Sequence, residues 1–298
     1  MRVNRKLIKL NIHNMDTITK DHLEEVFGKV KDKYNENKSC KYINLFQDEE
    51  GSLDEEFIKT ILVKSFQEMK ENSKISFLFK LSSLAYNAPT NIKEYIELNC
   101  PYESCKTSNY EKIRRNHINS FLNKKKYCGF KIEDYKTKYP NYDKNSEEFE
   151  ELINDIKCEV DKINSFMKEI FSYNFISSKY RHKLLYDMGV DVCPYCNRQY
   201  INSYIYDDDE RTTADLDHFY PQKTSAFLGL SLYNFVPSCQ ICNSRMKSSY
   251  FPNIINPIER GYEEEVRFEI NIDENDIDIK SIIGESDKFN LKIKINEK

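Results

Sequence analysis

The chain has 298 residues, 39% hydrophobic and 13% aromatic, enough to bury a core in one large domain or two modest ones. Its formal net charge of −4 argues against a uniformly basic nucleic-acid binder but leaves local basic patches open. Residues 1–14 lack the apolar run of a signal peptide and no later run approaches the ~20 apolar residues of a membrane span, so the expectation is a cytoplasmic protein without a membrane partner, whose nine cysteines serve metal or redox chemistry rather than a disulfide framework.

In chain order, the first helix is expected at about 20–36, where Leu23, Val26, Phe27, Val30 and Tyr34 keep helical spacing. From Ser52 the pattern SLDE reads as a capping box, with Glu55 three residues after the serine. One amphipathic helix follows it, carrying Phe57, Ile58, Ile61, Leu62, Phe66 and Met69. Further helices are expected around 74–86 and 108–127. The latter gathers Lys112, Arg114, Arg115, Lys124, Lys125 and Lys126 against Glu111, which suits either phosphate contacts or a solvated face. The longest helix spans about 145–171. Its Phe149, Ile153, Ile156, Val160, Ile163, Met167 and Ile170 alternate spacings of four and three, the rhythm of a coiled-coil seam. Such a seam wants a helical partner, either within the chain, the commoner solution, or on another subunit. Ser177 or Ser178 then opens a short helix that Gly189 stops.

The stretch CPYC places Cys193 and Cys196 three apart, and Cys239 and Cys242 repeat that spacing. Two such knuckles supply the four thiolates of a tetrahedral structural zinc ion. The other five cysteines, Cys40, Cys100, Cys105, Cys128 and Cys158, lack close metal spacing and read as buried or incidental. Between the knuckles, residues 199–221 read as a β-hairpin with an acidic turn, its second strand ending at His218 before Pro221. Ser238 reads as the N-cap of a helix beginning near Cys239. Asn243, about 100° round that helix from Cys242, points back toward the strand.

One unit thus gathers Asp217, His218 and Asn243. Asp and Asn oxygens suit a hard cation such as Mg²⁺ or Mn²⁺. A neutral histidine beside it suits proton removal from water. The helix start, Arg245 and Lys247 add positive charge for a phosphate. Those parts fit metal-assisted phosphodiester hydrolysis. Strict alternation would put Asp217 and His218 on opposite faces, so the strand is expected to end or twist between them.

Cys193–Cys196, DLDHFYP, LYNFVPSC, the CN dipeptide and Lys247 together resemble the HNH nucleases, whose ββα-metal motif reads His, Asn, then His or Asn. The likeness is strongest to the four-cysteine HNH effectors of bacterial anti-phage systems of the Septu and retron-associated kind. It covers roughly residues 185–257. The resemblance implies His218 as general base, Asp217 and Asn243 as ligands of the catalytic ion, and Asn234 as the residue that fixes the loop. It also implies a nucleic-acid substrate, DNA before RNA or tRNA, and an ATPase partner subunit.

The resulting expectation is an α+β chain: a mainly helical region over 1–185, a zinc-clamped ββα-metal module over 186–257, and a β tail over 258–298. In the tail Val266 to Ile272, Ile277 with Ile279, and Phe289 to Ile295 alternate as two or three strands packed on the module. Because the alternation runs nearly to the last residue, the sequence can be a piece of a longer product. The competing function is a non-catalytic zinc module that binds nucleic acid or a protein. Asp215 reads as an ordinary exposed residue rather than a support for the site. Tyr220 either stacks on a base or packs, and His13, His22, His117 and His182 read as structural or surface residues.

Overall fold

The first helix, α1 (Met15–Glu36), begins earlier than its apolar pattern suggests and buries Ile18, His22, Val26, Val30 and Tyr34 as one stripe four residues apart. The computed structural model describes residues 10, 12–86, 132–142, 146–206, 209–247, 256–259, 266–272 and 289–295. The helix expected at 108–127, with its basic residues, lies outside them.

The expected helix from Ser52 to Met69 is two helices. In α2 (Glu55–Val63) the cap is Asp54, whose side chain accepts from the Phe57 N–H at 2.9 Å. Ser52 belongs to the preceding turn, where its N–H donates to Oδ1 of Asp48 and Gly51 takes φ +81°. After Val63 the chain extends and Ser65 caps α3 (Phe66–Glu71) through a reciprocal capping box with Glu68. The SFQE pattern carries the same signal as SLDE, and an uninterrupted apolar spacing hides it. α4 (Ser73–Tyr86) sits where expected. A short α5 (Ile132–Lys138) has no counterpart in the sequence reading.

The long α6 (Ser146–Ile170) matches its expectation, and its whole seam is buried: Phe149, Ile153, Ile156, Val160, Ile163, Met167 and Ile170. It packs against α4, α1 and the 3-10 turn Ala226–Leu228. The seam's partner is therefore the chain itself, and it offers no docking face to a second subunit. Phe46 stands at the centre, 5.7 to 5.8 Å from the rings of Phe57, Phe166 and Phe171. Next, α7 (Ser178–Met188) is capped by the Ser177 side chain and ends at Gly189 with φ +60°.

Among the described residues, three antiparallel two-stranded sheets follow. β1 (Ser203–Tyr206) pairs with β2 (Asp209–Thr212), β3 (Asp215–His218) with β4 (Phe235–Ser238), and β5 (Val266–Ile272) with β6 (Phe289–Ile295). The expected hairpin thus closes at Thr212, before the Asp217–His218 pair. There the Thr212 hydroxyl accepts from the Ala214 N–H at 3.0 Å, breaking the strand, and β3 finds its partner beyond the loop. Ile277 and Ile279 lie outside the described residues.

The helices and the β3–β4 sheet share one core. The His22 ring of α1, fully buried, donates Nε2–H to the Leu230 carbonyl at 2.7 Å and accepts at Nδ1 from the Tyr180 hydroxyl at 3.0 Å. Gly229 lies so close to the end of α6 that a Cβ there would meet the Phe171 carbonyl oxygen at 2.5 Å. Glu259 accepts from the Phe66 N–H at the start of α3. The chain is α+β, and none of its described helices is long and apolar enough to cross a membrane.

Candidate functional site

Cys193, Cys196, Cys239 and Cys242 converge so that their sulfurs all lie within 4.8 Å of one another. A tetrahedral zinc ion with Zn–S bonds of about 2.3 Å needs sulfurs about 3.8 Å apart, so the cluster can hold such a metal. The first knuckle is a tight turn. The Cys193 N–H donates to the Gln199 carbonyl, the Asn197 N–H to the Cys193 carbonyl, and Asn197 takes φ +51°. Burial raises the Cys193 and Cys242 thiols. At Cys196 burial acts the same way, but the backbone N–H groups of Gln199 and Arg198 outweigh it and lower the thiol to about 7. Of the remaining cysteines described, Cys40 is half-buried and Cys158 exposed.

The second knuckle does not begin as expected. Ser238 is the last residue of β4, its hydroxyl buried without a partner, and does not cap the helix. The Cys239 sulfur takes that place, accepting from the Cys242 N–H at 3.5 Å. A seven-residue π-helical turn, Ile241–Lys247, follows. Because the Asn243 N–H also donates to the Cys239 carbonyl, these first-turn donors are spent within the turn and are not offered to a phosphate.

Pairing in β3 runs through His218↔Phe235 and on to a bond from the Phe219 N–H to the Asn234 carbonyl. The strand therefore does not end between Asp217 and His218, and burial along it does not alternate, since Leu216 and Asp217 are both buried while Asp215 and His218 are half-buried. Asp217, buried, accepts from the Tyr195 hydroxyl of the first knuckle at 2.6 Å. The half-buried His218 ring packs edge-on against Tyr173 and Phe235, with centroids 5.0 and 5.1 Å away. Its Nε2 lies 3.0 Å from the Gly229 carbonyl oxygen. A carbonyl only accepts, so Nε2 carries the proton and Nδ1 is the basic nitrogen of the neutral ring. The Gln222 amide, 2.9 Å from the same Nε2, then presents its oxygen there after a half-turn.

Asn234 is fully buried and its side chain fully engaged. It accepts from the Tyr220 N–H at 2.7 Å and donates to the carbonyls of Tyr220 and Leu228 at 3.1 and 3.0 Å. Its work is to hold the loop after His218 closed. Tyr220, between Phe66, Phe79 and Phe219, is a core residue and not a base-stacking one.

The Asn243 amide donates to Oδ2 of Asp215 at 3.1 Å. Asp215 is thus half-buried and bonded to the π-helical turn, in place of the exposed residue expected. Asp215 and Asp217, two apart on β3, each bond to a residue of the cysteine-bearing turns, Asp215 to Asn243 and Asp217 to Tyr195. Arg245 is exposed on the same turn, and Lys247 closes it.

Sequence reasoning missed Tyr195, Gly229, Gln222, Tyr173 and Arg181. Only Tyr195 carried a local signal, as the aromatic between two metal-spaced cysteines. Gly229 and Tyr173 reach His218 through the fold, Gln222 from four residues along the chain, and Arg181 stands beside Tyr173. No protein-family model, curated protein or solved structure matches the chain.

Proposed function

We propose that the chain is a metal-dependent endonuclease of the HNH kind, hydrolysing phosphodiester bonds of nucleic acid, DNA in preference to RNA or tRNA, as a cytoplasmic effector of bacterial anti-phage defence. The observation that carries this reading is the fixed His218 ring at the end of β3, the same short strand whose Asp215 and Asp217 bond to Asn243 and Tyr195 of the cysteine-clamped turns. With Nε2–H donated to the Gly229 carbonyl, Nδ1 is the nitrogen that takes the proton of an attacking water. Asp217 and Asn243 would supply hard oxygen ligands that suit Mg²⁺ or Mn²⁺, and Asp215 holds the Asn243 amide through its N–H₂. Such an ion supplies Lewis-acid stabilisation of charge building on the phosphate. Arg245 and Lys247 supply contacts to neighbouring phosphates, and zinc is the structural ion of the four cysteines. An ATPase partner, if it regulates the enzyme, docks away from the α6 seam.

The test is incubation of the purified chain with plasmid, single-stranded RNA and tRNA in Mg²⁺ or Mn²⁺, beside His218→Ala and a chelator control. Expected is ion-dependent cleavage that falls by about 10²-fold or more in the variant. Absence of ion-dependent cleavage of every substrate, even with the genomically neighbouring ATPase added, would leave the non-catalytic zinc module as the better account.

A further inference from the structure

We propose that Arg181 of α7 and Tyr173 of the preceding turn form a phosphate-binding corner beside His218, so that the helical region completes the nuclease site. This rests on the phosphodiester reading above and adds a contact to the reacting phosphate from outside the ββα unit. Tyr173 lies in the 3-10 turn Tyr173–Phe175 between α6 and α7, its ring 5.0 Å from that of His218 and 6.0 Å from that of Phe235. Arg181 is one helical turn into α7 and stands beside the Tyr173 hydroxyl, with Asp215 near enough for its charge to act on the same phenol. Arg181, Tyr173, His218 and Asp215 therefore share one neighbourhood, and Asn243 joins it through Asp215.

The guanidinium there is incompletely used. Its Nε is buried and has no hydrogen-bond partner among the described residues, nor does any described carboxylate form an ion pair with it. A buried donor left unmade is costly and rare in a folded protein, and a charged one more so. An anion relieves that cost. A phosphoryl group suits it best, because guanidinium presents a planar fork to two of its oxygens. Burial outweighs the pull of Arg181 and holds the Tyr173 phenol above its ordinary pKa, so its O–H remains a donor to the same group. In hydrolysis a water oxygen forms the new P–O bond while one ester P–O bond breaks. His218 takes the water's proton, solvent reprotonates the leaving oxygen, and Arg181 faces the growing negative charge on the non-bridging oxygens.

The experiment uses the full chain with Arg181→Ala, Arg181→Lys and Tyr173→Phe, and reads plasmid cleavage and the rise in melting temperature with inorganic phosphate. Arg181→Ala should lower kcat by about 10²–10³-fold with KM changed less than about threefold. Arg181→Lys should recover part of the rate, since it restores charge without the fork. Tyr173→Phe, which keeps the ring on His218, should lose about tenfold. Inorganic phosphate should stabilise the wild type and not Arg181→Ala. Wild-type cleavage by Arg181→Ala, or equal stabilisation of both proteins by phosphate, overturns the proposal. If the wild type cleaves nothing, the nuclease reading falls. The phosphate shift then judges the anion corner alone: dependence on Arg181 upholds it, and independence rejects it. Should Arg181→Ala not fold, Arg181→Lys and Tyr173→Phe decide, and wild-type rates in both reject it.

Discussion

The Tyr195 hydroxyl donates to Oδ2 of Asp217 at 2.6 Å, so a residue between two of the clustered cysteines holds the carboxylate that precedes His218. The bond ties the first knuckle to β3 independently of the cysteine cluster. A hydrogen bond to a buried charge contributes about 1.5–3 kcal/mol. Tyr195→Phe should destabilise the chain by that amount in urea titration while keeping its zinc. A change under about 0.5 kcal/mol would mean that the bond carries no net stability.

The cysteine cluster joins residues 193–196 to residues 239–242 across the β1–β2 hairpin, β3 and β4. About one zinc per chain is expected by elemental analysis, because four thiolates fill a tetrahedral site. Cys239 is both a candidate ligand and the acceptor that caps the π-helical turn. Its replacement by serine removes the soft ligand and should cost most of the module's folding free energy. Loss of cooperative melting together with loss of zinc is the predicted outcome. A metal-free wild type, or a Cys239→Ser variant that melts unchanged, contradicts it.

The parts of this structure legible in the sequence are those written in short spacings. The two C-x-x-C knuckles, the Ser177 cap, the Gly189 stop and the α6 seam each depend on residues within a few turns of one another. What stayed hidden depends on pairing over distance. β3 bonds to a strand twenty residues away and not to its neighbour β2, a choice that local alternation does not encode. The break between α2 and α3 was written in SFQE, but a continuous apolar stripe masked it. Tyr173 meets both Arg181 and His218 only because the turn before α7 packs on β3, and no spacing announces that.

His22 makes folding sensitive to acid. Burial, the largest cause, lowers its pKa to about 4, outweighing the Leu230 carbonyl and Glu25, which act in the opposite sense. The unfolded chain, with an ordinary value of about 6.5, binds the proton first as pH falls. The stabilising difference is therefore complete above about pH 6.5 and is lost progressively as pH falls toward 4. It amounts to about 3 kcal/mol, since each unit is worth about 1.4 kcal/mol. Urea midpoints of wild type should decline over that window. His22→Gln, weaker overall, should show a flatter decline. Parallel curves would locate the acid sensitivity elsewhere.

Ile156 tests whether the α6 seam is core or interface. Its side chain is fully buried, and α6 lies against α4, α1 and the turn Ala226–Leu228, which leads to the Gly229 carbonyl that holds His218. Removing a buried isoleucine costs about 2–5 kcal/mol through lost burial and the cavity left behind. Ile156→Ala should lower the urea midpoint accordingly and weaken His218-dependent cleavage in step with the folded fraction. Ile156→Asp buries a charge with no designed partner and should abolish folding. If α6 were a docking face for a coiled-coil arm, both variants would fold normally and lose only complex formation. Circular dichroism of the isolated chain separates the two outcomes, and a stably folded Ile156→Asp protein would return the seam to the role of an interface.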